Sequence, residues 1–353
     1  MCDRARLVEP RSTSLLYVGR ITRGMRMAML VTGGLGYVGS HAVKLFVERG
    51  ERVVNLDDLS FGHVEAACGS EVVIGDIGDR DLLRKIFSSS DIDSVMHFAA
   101  SADVGESVVD PQKYYFNNVA NSLAMLEVML EFGVKMMVFS STAATFGEPQ
   151  EVPITEDHPK NPTNPYGRSK LQLEEILTDY ERAYGLRSIW LRYFNASGAD
   201  PSGAIGEDHK PEHHLIPLVL DVALRKRESI KIFGADWPTP DGTCIRDYIH
   251  VTDLAHAHVL ALDALRNGKE TTAYNMGNGN GYSVREVIEV AGQVTGVNIK
   301  AVEGERRPGD PAVLVASSAK ITKELGFQPM FPEIKTIIET AWNWQRNHPN
   351  GYY

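Results

Sequence analysis

The stretch Ala28-Met29-Leu30-Val31-Thr32-Gly33-Gly34-Leu35-Gly36-Tyr37-Val38-Gly39-Ser40 decides how this chain reads. A short apolar run enters a turn with glycines at 33, 36 and 39, and a helical pattern through Val43, Leu45, Phe46 and Val47 follows. Strand, glycine turn and helix together are the context in which such glycines report on a dinucleotide. Gly33 permits the tight turn, Gly36 lets a ligand approach the backbone, and Gly39 lets the helix lie close to the strand. The N–H groups that open the helix suit a pyrophosphate. The spacing is Gly-x-x-Gly-x-x-Gly, not the commoner Gly-x-Gly-x-x-Gly, so the turn needs support from the rest of the chain.

Support begins with the next strand, which ends at Asp57-Asp58, a little over 20 residues beyond Gly33. An acidic side chain there accepts hydrogen bonds from an adenosine ribose and repels a 2′-phosphate, which favours NAD over NADP. A third strand, Glu71–Ile74, leads to Asp76 and Ile77, placed to meet an adenine. A fourth, residues 94–98, ends in the small Ala99-Ala100. His97, inside that apolar strand, reads as a core histidine rather than a base. The spacing then predicts one long helix over residues 111–132, containing Asn117-Asn118, and a fifth strand over 135–139 that delivers Ser140-Ser141-Thr142. A sixth strand covers residues 188–195. Repeated strand–helix alternation implies a Rossmann-type, doubly wound parallel sheet with right-handed crossovers, an α/β fold that binds ligands at the carboxyl ends of its strands.

Between the fifth and sixth strands lies Tyr166-Gly167-Arg168-Ser169-Lys170, after a proline-rich loop. On a helix, Tyr166 and Lys170 share one face. A cation beside a phenol favours the phenolate, which makes Tyr166 a candidate general base near neutral pH. Taken alone the Tyr-x-x-x-Lys pattern is common on surface helices, and its meaning rests on the glycine turn, Asp57 and the hydroxyl of Thr142.

Past Asn195 the rhythm changes to glycine, proline, histidine and charged residues, with a helix predicted over residues 215–224 and a short strand over 244–250. Arg306-Arg307 adds a pair of cations, and this half reads as a lid or smaller α+β substrate lobe whose arginines, from distant segments, converge on phosphates. The histidines 209, 213 and 214 lack an evident acidic partner arrangement, so the expectation is a solvent-facing loop and no metal. The expected organisation is an N-terminal extension over residues 1–27, a dinucleotide-binding domain over 28–195, and a lobe over 196–353 with some segments returning to the first domain.

Composition is that of an ordinary globular protein of 353 residues. A net charge of -10 argues against a nucleic-acid partner and means that an anionic ligand is held by local cations. Three scattered cysteines argue against a disulfide framework and for a reducing compartment, the cytoplasm. No stretch reaches the roughly 18 to 20 apolar residues of a membrane span. Residues 1–27 are rich in arginine and carry serine and threonine, with methionines at 25, 27 and 29; they read as a disordered extension upstream of a start near Met25 or Met27, or as a transit leader weakened by Asp3 and Glu9.

From about Met29 to Tyr352 the chain resembles the extended short-chain dehydrogenase/reductase family and, within it, the UDP-sugar 4-epimerases. The glycine turn and Asn164-Pro165-Tyr166-Gly167-Arg168-Ser169-Lys170 carry the family. Phe139-Ser140-Ser141-Thr142-Ala143-Ala144-Thr145-Phe146-Gly147, Leu191-Arg192-Tyr193-Phe194-Asn195 and Ile245-Arg246-Asp247-Tyr248-Ile249-His250 carry the nucleotide-sugar branch. The resemblance implies reversible C4 epimerisation of UDP-glucose and UDP-galactose through a transient 4-keto sugar and enzyme-bound NADH, with NAD regenerated in each turnover, and it implies a homodimer. It implies that Tyr166 is the base, that Lys170 lowers its pKa and holds the nicotinamide ribose, and that Thr142 bonds the reacting oxygen. It lines the NAD with Gly33, Gly36, Tyr37, Val38, Gly39, Asp57, Asp58, Asp76, Ile77, Phe98, Ala99, Asn117 and Phe194. The UDP-sugar falls to Asn195, His214, Leu215, Phe233, Arg246, Tyr248, Arg307, Asp310 and Leu314, with Arg246 and Arg307 on the diphosphate.

Thr142 stands where many relatives have serine, Ala102 where some have a lysine on the NAD, and His214 where some have asparagine. Leu314 lies where a bulky tyrosine excludes N-acetylated sugars and a small residue admits them; leucine is intermediate, which puts the plain hexoses first and leaves N-acetylated sugars, a pentose or a uronic acid as alternatives. A sugar dehydratase needs an acid and base after the threonine, and Ala143 and Ala144 supply neither. A non-catalytic NAD-binding regulator is disfavoured because Tyr166 and Lys170 are both present.

Overall fold

Burial of all five residues of the first strand is the starting point of the architecture, because a strand covered on both faces belongs in the middle of a parallel sheet. The computed structural model describes residues 27–307 and 310–353. The expected extension over residues 1–27 therefore lies, except for Met27, outside the described residues. In chain order the elements are β1 (Ala28–Thr32), α1 (Tyr37–Glu48), β2 (Arg52–Asp57), β3 (Glu71–Ile74), α2 (Arg80–Ser90), β4 (Ile92–His97), α3 (Val104–Val109), α4 (Pro111–Tyr115), α5 (Asn121–Glu131), β5 (Met136–Thr142), α6 (Pro165–Tyr184) and β6 (Arg187–Tyr193). There follow β7 (Asn195–Ser197), α7 (Leu215–Ala223), β8 (Ile230–Phe233), β9 (Ile245–His250), α8 (Val251–Arg266), β10 (Thr272–Met276), β11 (Gly281–Ser283), α9 (Val284–Thr295), β12 (Ala301–Gly304), β13 (Val313–Leu314), α10 (Ala319–Leu325) and α11 (Ile334–Asn347).

Seven strands form one sheet in the order β10-β6-β5-β4-β1-β2-β3. The pairs from β3 through β2, β1 and β4 to β5 are parallel. The chain winds outward one way from β1 to β3, then crosses to β4 on the other side and winds the opposite way. The switch between β1 and β4 is where a doubly wound sheet opens a crevice at its carboxyl edge. The fold class expected from the sequence is the one observed.

Contacts divide the chain into two compact units. One holds the described part of Met1–Ser140 with Asn164–Trp190 and His258–Thr272; the other holds Ser141–Thr163, Leu191–Ala257 and Ala273–Tyr353. The core of the first unit is built from Leu30, Leu56, Val95, Phe139, Leu173 and Leu177 with their neighbours, the inward faces of sheet and helices. In the second unit, α7, α9 and α11 pack through Ile216, Leu220, Val287, Ile337 and Ile338. Its strands form a small sheet in the order β11-β9-β13, with β7 also on β9, and a parallel pair β12-β8. Segments 141–163 and 273–276, early and late in the chain, thus share a unit.

One element departs from expectation. Where periodicity predicts a single helix over residues 111–132, the chain runs as α4, a π turn over Phe116–Ala120, and α5. Such a turn adds a residue to the helical repeat and is often found at functional sites. Here it buries Asn118, a residue that uninterrupted helix would place differently.

Candidate active site

In the first unit the glycine turn lies at the sheet's switch point. Gly33 has φ +70°, and a Cβ there would sit 2.5 Å from the backbone N of Ala99. A Cβ on Gly39 would run into the carbonyl oxygen of Gly33. Both glycines are therefore demanded by the close approach of β1, α1 and the end of β4. Helix α1 starts with no side-chain cap on Gly36 and no acidic residue in its first turn, which leaves its opening N–H groups to an anion. Tyr37 and Val38 form that first turn. Asp57 closes the turn from below: its Oδ2 accepts from Leu35 N at 3.0 Å and its Oδ1 from Leu59 N at 2.9 Å. Burial pushes the Asp57 carboxyl up, and these two N–H donors oppose that. Its neighbour Asp58 is exposed and accepts from Ser60 N at 2.8 Å.

The other residues expected on the cofactor spread along the same carboxyl edge. Asp76 is exposed, its Oδ1 accepting from Gly78 N at 2.5 Å and from Asn121 Nδ2 at 3.0 Å, while Ile77 is buried. Ala99 N donates to Thr32 O at 3.0 Å, and the Phe98 ring lies 4.7 Å from that of His258. The turn, Asp57, Phe98 and Ala99 are thus joined by direct contacts, whereas Asp58 and Asp76 bond within their own loops and to α5.

Asn164 places the Tyr166–Lys170 pair. Its side chain caps α6 by accepting from Gly167 N at 2.8 Å, and Pro165 occupies the first helical position, so Tyr166 falls in the first turn. The Tyr166 ring meets Tyr114 edge-on at 6.4 Å between centroids. Lys170 is 3 % exposed; its Nζ donates to Ser140 O at 2.8 Å and lies 4.9 Å from the centre of the Phe139 ring. A hydrogen bond to a charged group contributes about 1.5–3 kcal/mol, whereas taking an ammonium out of water costs several kcal/mol. Desolvation wins, and burial pulls Lys170 down to about 7, only partly offset by Glu174.

A buried chain of hydrogen bonds fixes this helix from behind. His97 is drawn down to about 3 by burial, with the Lys170 charge a lesser cause, so its ring is neutral at ordinary pH. Ser122 Oγ donates to Asn118 O at 2.8 Å, so it accepts from His97 Nε2–H at 3.0 Å, and His97 Nδ1 accepts from Thr32 Oγ1 at 2.7 Å. Asn118 Nδ2 donates to Ser101 O and to Ser169 Oγ, both at 3.0 Å, and Ser169 Oγ donates to Tyr166 O at 2.8 Å. The core reading of His97 agrees with this arrangement. Asn118 and Ser140 O were not singled out by the sequence; the doubled asparagine was visible, but the π turn that chooses between the two was not. Asn117, half-buried, donates to Ser101 Oγ at 3.3 Å.

In the second unit Thr142 is buried at the end of β5, its Oγ1 accepting from Ala144 N at 3.1 Å. Phe194 and Leu314 pack with Ala143, Phe146 and Ile154 in one apolar cluster. Asn195 Nδ2 donates to Asp247 O at 2.7 Å, and β7–β9 pairing sets Asn195 beside Tyr248. Tyr248 lies inside the lobe's core, and burial pushes its hydroxyl well up. The Arg246 guanidinium is anchored on the carbonyls of Ile245 and Pro311, both at 2.9 Å, and lies 3.7 Å from Asp310. Leu314 faces Arg246 in the β13–β9 register. The Arg307 guanidinium stacks 3.9 Å from the centre of the Phe233 ring, and Leu215 packs on two core clusters. Asp247, unflagged by the sequence, organises this end: it is fully buried and accepts from Asn278 N, Gly279 N and Ala316 N at 2.7, 3.0 and 3.0 Å, with burial raising it to about 6 against those bonds.

His214 stands at the N-cap position of α7 without a side-chain bond to the helix, and its Nδ1 lies 2.9 Å from Glu212 Oε1 and 2.7 Å from Glu207 Oε1. Burial disfavours its cation, but the two carboxylates hold it well above the usual histidine range. The loop is accordingly not the acid-free histidine run that the spacing of 209, 213 and 214 suggested: Glu207 and Glu212 stand beside His209 and His214.

A family model described as the NAD dependent epimerase/dehydratase family matches residues 29–277. A UDP-glucose 4-epimerase of Halalkalibacterium halodurans is 55% identical over 326 residues, covering 92% of this chain and 98% of that protein. A crystal structure of a UDP-glucose 4-epimerase superposes with TM-score 0.91 at 53% identity, covering 92% of this chain and 99% of that one. The Brucella ovis UDP-glucose 4-epimerase in complex with NAD superposes with TM-score 0.88 at 46% identity, covering 90% and 98%.

Proposed function

The chain belongs to the NAD dependent epimerase/dehydratase family, and from that premise we propose that it interconverts UDP-glucose and UDP-galactose by inverting C4 of the hexose. NAD is the cofactor, and the glycine turn fits it: Gly33 and Gly39 leave no room for a Cβ, the uncapped start of α1 suits a pyrophosphate, and Asp57 and Asp58 suit a ribose without a 2′-phosphate. When bound, NAD supplies a reversible hydride sink at C4, so the reaction has no net oxidation.

The protein's own groups handle the proton and the grip. Tyr166 Oη takes the proton of the C4 hydroxyl and returns it after the 4-keto sugar has presented its other face. Lys170, held on Ser140 O, supplies in its protonated form the positive charge that favours the phenolate. Thr142 hydrogen-bonds the reacting oxygen. Arg246 and Arg307 neutralise the diphosphate, Asn195, His214, Leu215, Phe233, Tyr248 and Asp310 position the nucleotide sugar, and Leu314 sets how large a sugar is admitted. The cofactor contacts fall to Tyr37, Val38, Asp76, Ile77, Phe98, Ala99, Asn117 and Phe194 beside the glycines. The observation that carries the proposal is the buried, carbonyl-anchored Lys170 four residues after Tyr166 on a helix fixed by Asn164.

Alanines 143 and 144 after Thr142 provide no acid or base for eliminating water, which favours epimerisation over dehydration. A homodimer and a cytoplasmic location complete the proposal; the three scattered cysteines suit a reducing compartment, and among the described residues no helix is long and apolar enough to cross a membrane. Tyr166→Phe tests the role of the phenol: it should keep its bound NAD and lose turnover by about 10²–10⁴-fold, the range for a positioned general base. A nearly normal rate would remove Tyr166 from the mechanism.

A further inference from the structure

Among the described residues, a cluster of ligating side chains that includes the substrate-side His214 lies just before α7. Glu207, His209, Glu212 and His214 direct one donor atom each into a volume in which all four lie within 4.8 Å of one another. His209 Nδ1 is 3.3 Å from Glu207 Oε1 and 3.5 Å from Glu212 Oε2; His214 Nδ1 is 2.7 Å from Glu207 Oε1 and 2.9 Å from Glu212 Oε1. A tetrahedral ion with bonds of about 2.0–2.2 Å sets its ligand atoms about 3.3 Å apart; the four histidine–carboxylate separations, with Glu212 taken through Oε2 toward His209 and through Oε1 toward His214, bracket that edge. Two imidazoles and two carboxylates are a donor set suited to zinc and its neighbours.

A second observation points the same way. The Glu207 side chain is 6 % exposed, and its Oε1, though 2.7 Å from His214 Nδ1 and 3.3 Å from His209 Nδ1, accepts no well-aligned hydrogen bond from either. The one N–H that His214 Nδ1 can offer is directed at Glu212 Oε1, which leaves Glu207 Oε1 close to a nitrogen without a proton on the line between them. Buried carboxylate oxygens are normally bonded, and a shared cation would satisfy this one and relieve the close N–O approach. The frame around the cluster is held independently: Trp344 Nε1 donates to Glu207 O at 3.2 Å, Gly206 N donates to Tyr352 Oη at 3.0 Å, and the backbone N–H groups of His213 and His214 orient Glu212 Oε1 at 2.7 and 2.8 Å. Supports of this kind around the ligands are what metal sites use to fix their geometry.

We propose that Glu207, His209, Glu212 and His214 form a four-coordinate site for a divalent ion of the zinc class, which ties residues 207–214 to the first turn of α7. With all four positions supplied by the protein, the site is closed and structural, and it takes no part in the hydride or proton transfer. His214 serves it through Nδ1, which leaves Nε2 for a substrate contact.

The test uses the full chain without a histidine tag. Protein treated with zinc(II) chloride and then desalted should retain one zinc per chain. His209→Ala and Glu212→Gln should lose it, and His213→Ala, altered in the same loop but outside the ligand set, should keep it. Bound NAD and the far-ultraviolet spectrum of each variant report that it has folded. Wild-type protein that retains no zinc, or variants that retain as much as wild type, overturns the proposal. Cobalt(II) gives a readout that needs no variant: the intense visible absorption of a tetrahedral ion is expected, and the pale spectrum of a six-coordinate one contradicts the site.

Discussion

Lys170 shows how one side chain is set by competing terms. Its ordinary pKa of 10.5 falls to about 7 because burial outweighs the Ser140 carbonyl and the Glu174 charge. Between those two values the unfolded chain holds a proton on Lys170 that the folded protein has given up, so in that window stability rises with pH. Below about 7 both states carry the proton and the folded protein bears the whole cost of the buried charge. Lys170→Met removes that cost; the variant's gain in urea midpoint over wild type, both freed of NAD, should be largest near pH 6.5 and shrink toward pH 10. A difference that does not change over this range would show that Lys170 is not desolvated as described. Tyr166 and Lys170 were legible in the sequence because a spacing of four on a helix is a local fact. Ser140 O, Asn118 and Asp247 were not, since each acts through a fold that brings distant segments together. The Glu207–His214 loop was misread for a related reason: a histidine count sees neighbours in the chain, while the carboxylates that matter are set by how the loop turns.

At the scale of elements, the glycine turn was readable because each glycine answers a separate steric demand, and the structure meets two of those demands through Ala99 N and Gly33 O. The interrupted helix was not readable, because a π turn leaves the apolar spacing of residues 111–132 nearly intact while rotating Asn118 inward. Strand β10 was also missed as a member of the main sheet: it joins beside β6 from a point far along the chain, and nothing in five residues announces that return. The helices around the π turn carry a further expectation. Val108, Val109 and Phe116, near one another in the chain, are 64%, 86% and 65% exposed, apolar side chains that the proposed homodimer would cover. Phe116→Glu should shift the protein toward monomer in sedimentation equilibrium; a wild-type monomer, or a variant dimer of unchanged strength, would contradict a homodimer built on this face.

For the whole molecule, a net charge of -10 means that the proposed anionic substrate has to be held by local cations, and the pair proposed for it is Arg246, anchored on two carbonyls, and Arg307, stacked on Phe233. The division of labour is between a sheet whose switch point suits a dinucleotide and a lobe whose β9 gathers Asn195, Arg246 and Leu314. The proposed reaction returns its hydride within each turnover and so has a signature that a dehydrogenase lacks. Purified protein with its bound NAD, given UDP-galactose and no added oxidant, should convert it to UDP-glucose until the two reach equilibrium, with no NADH released. Accumulation of free NADH, or of a dehydrated sugar, or no conversion at all, would contradict the account.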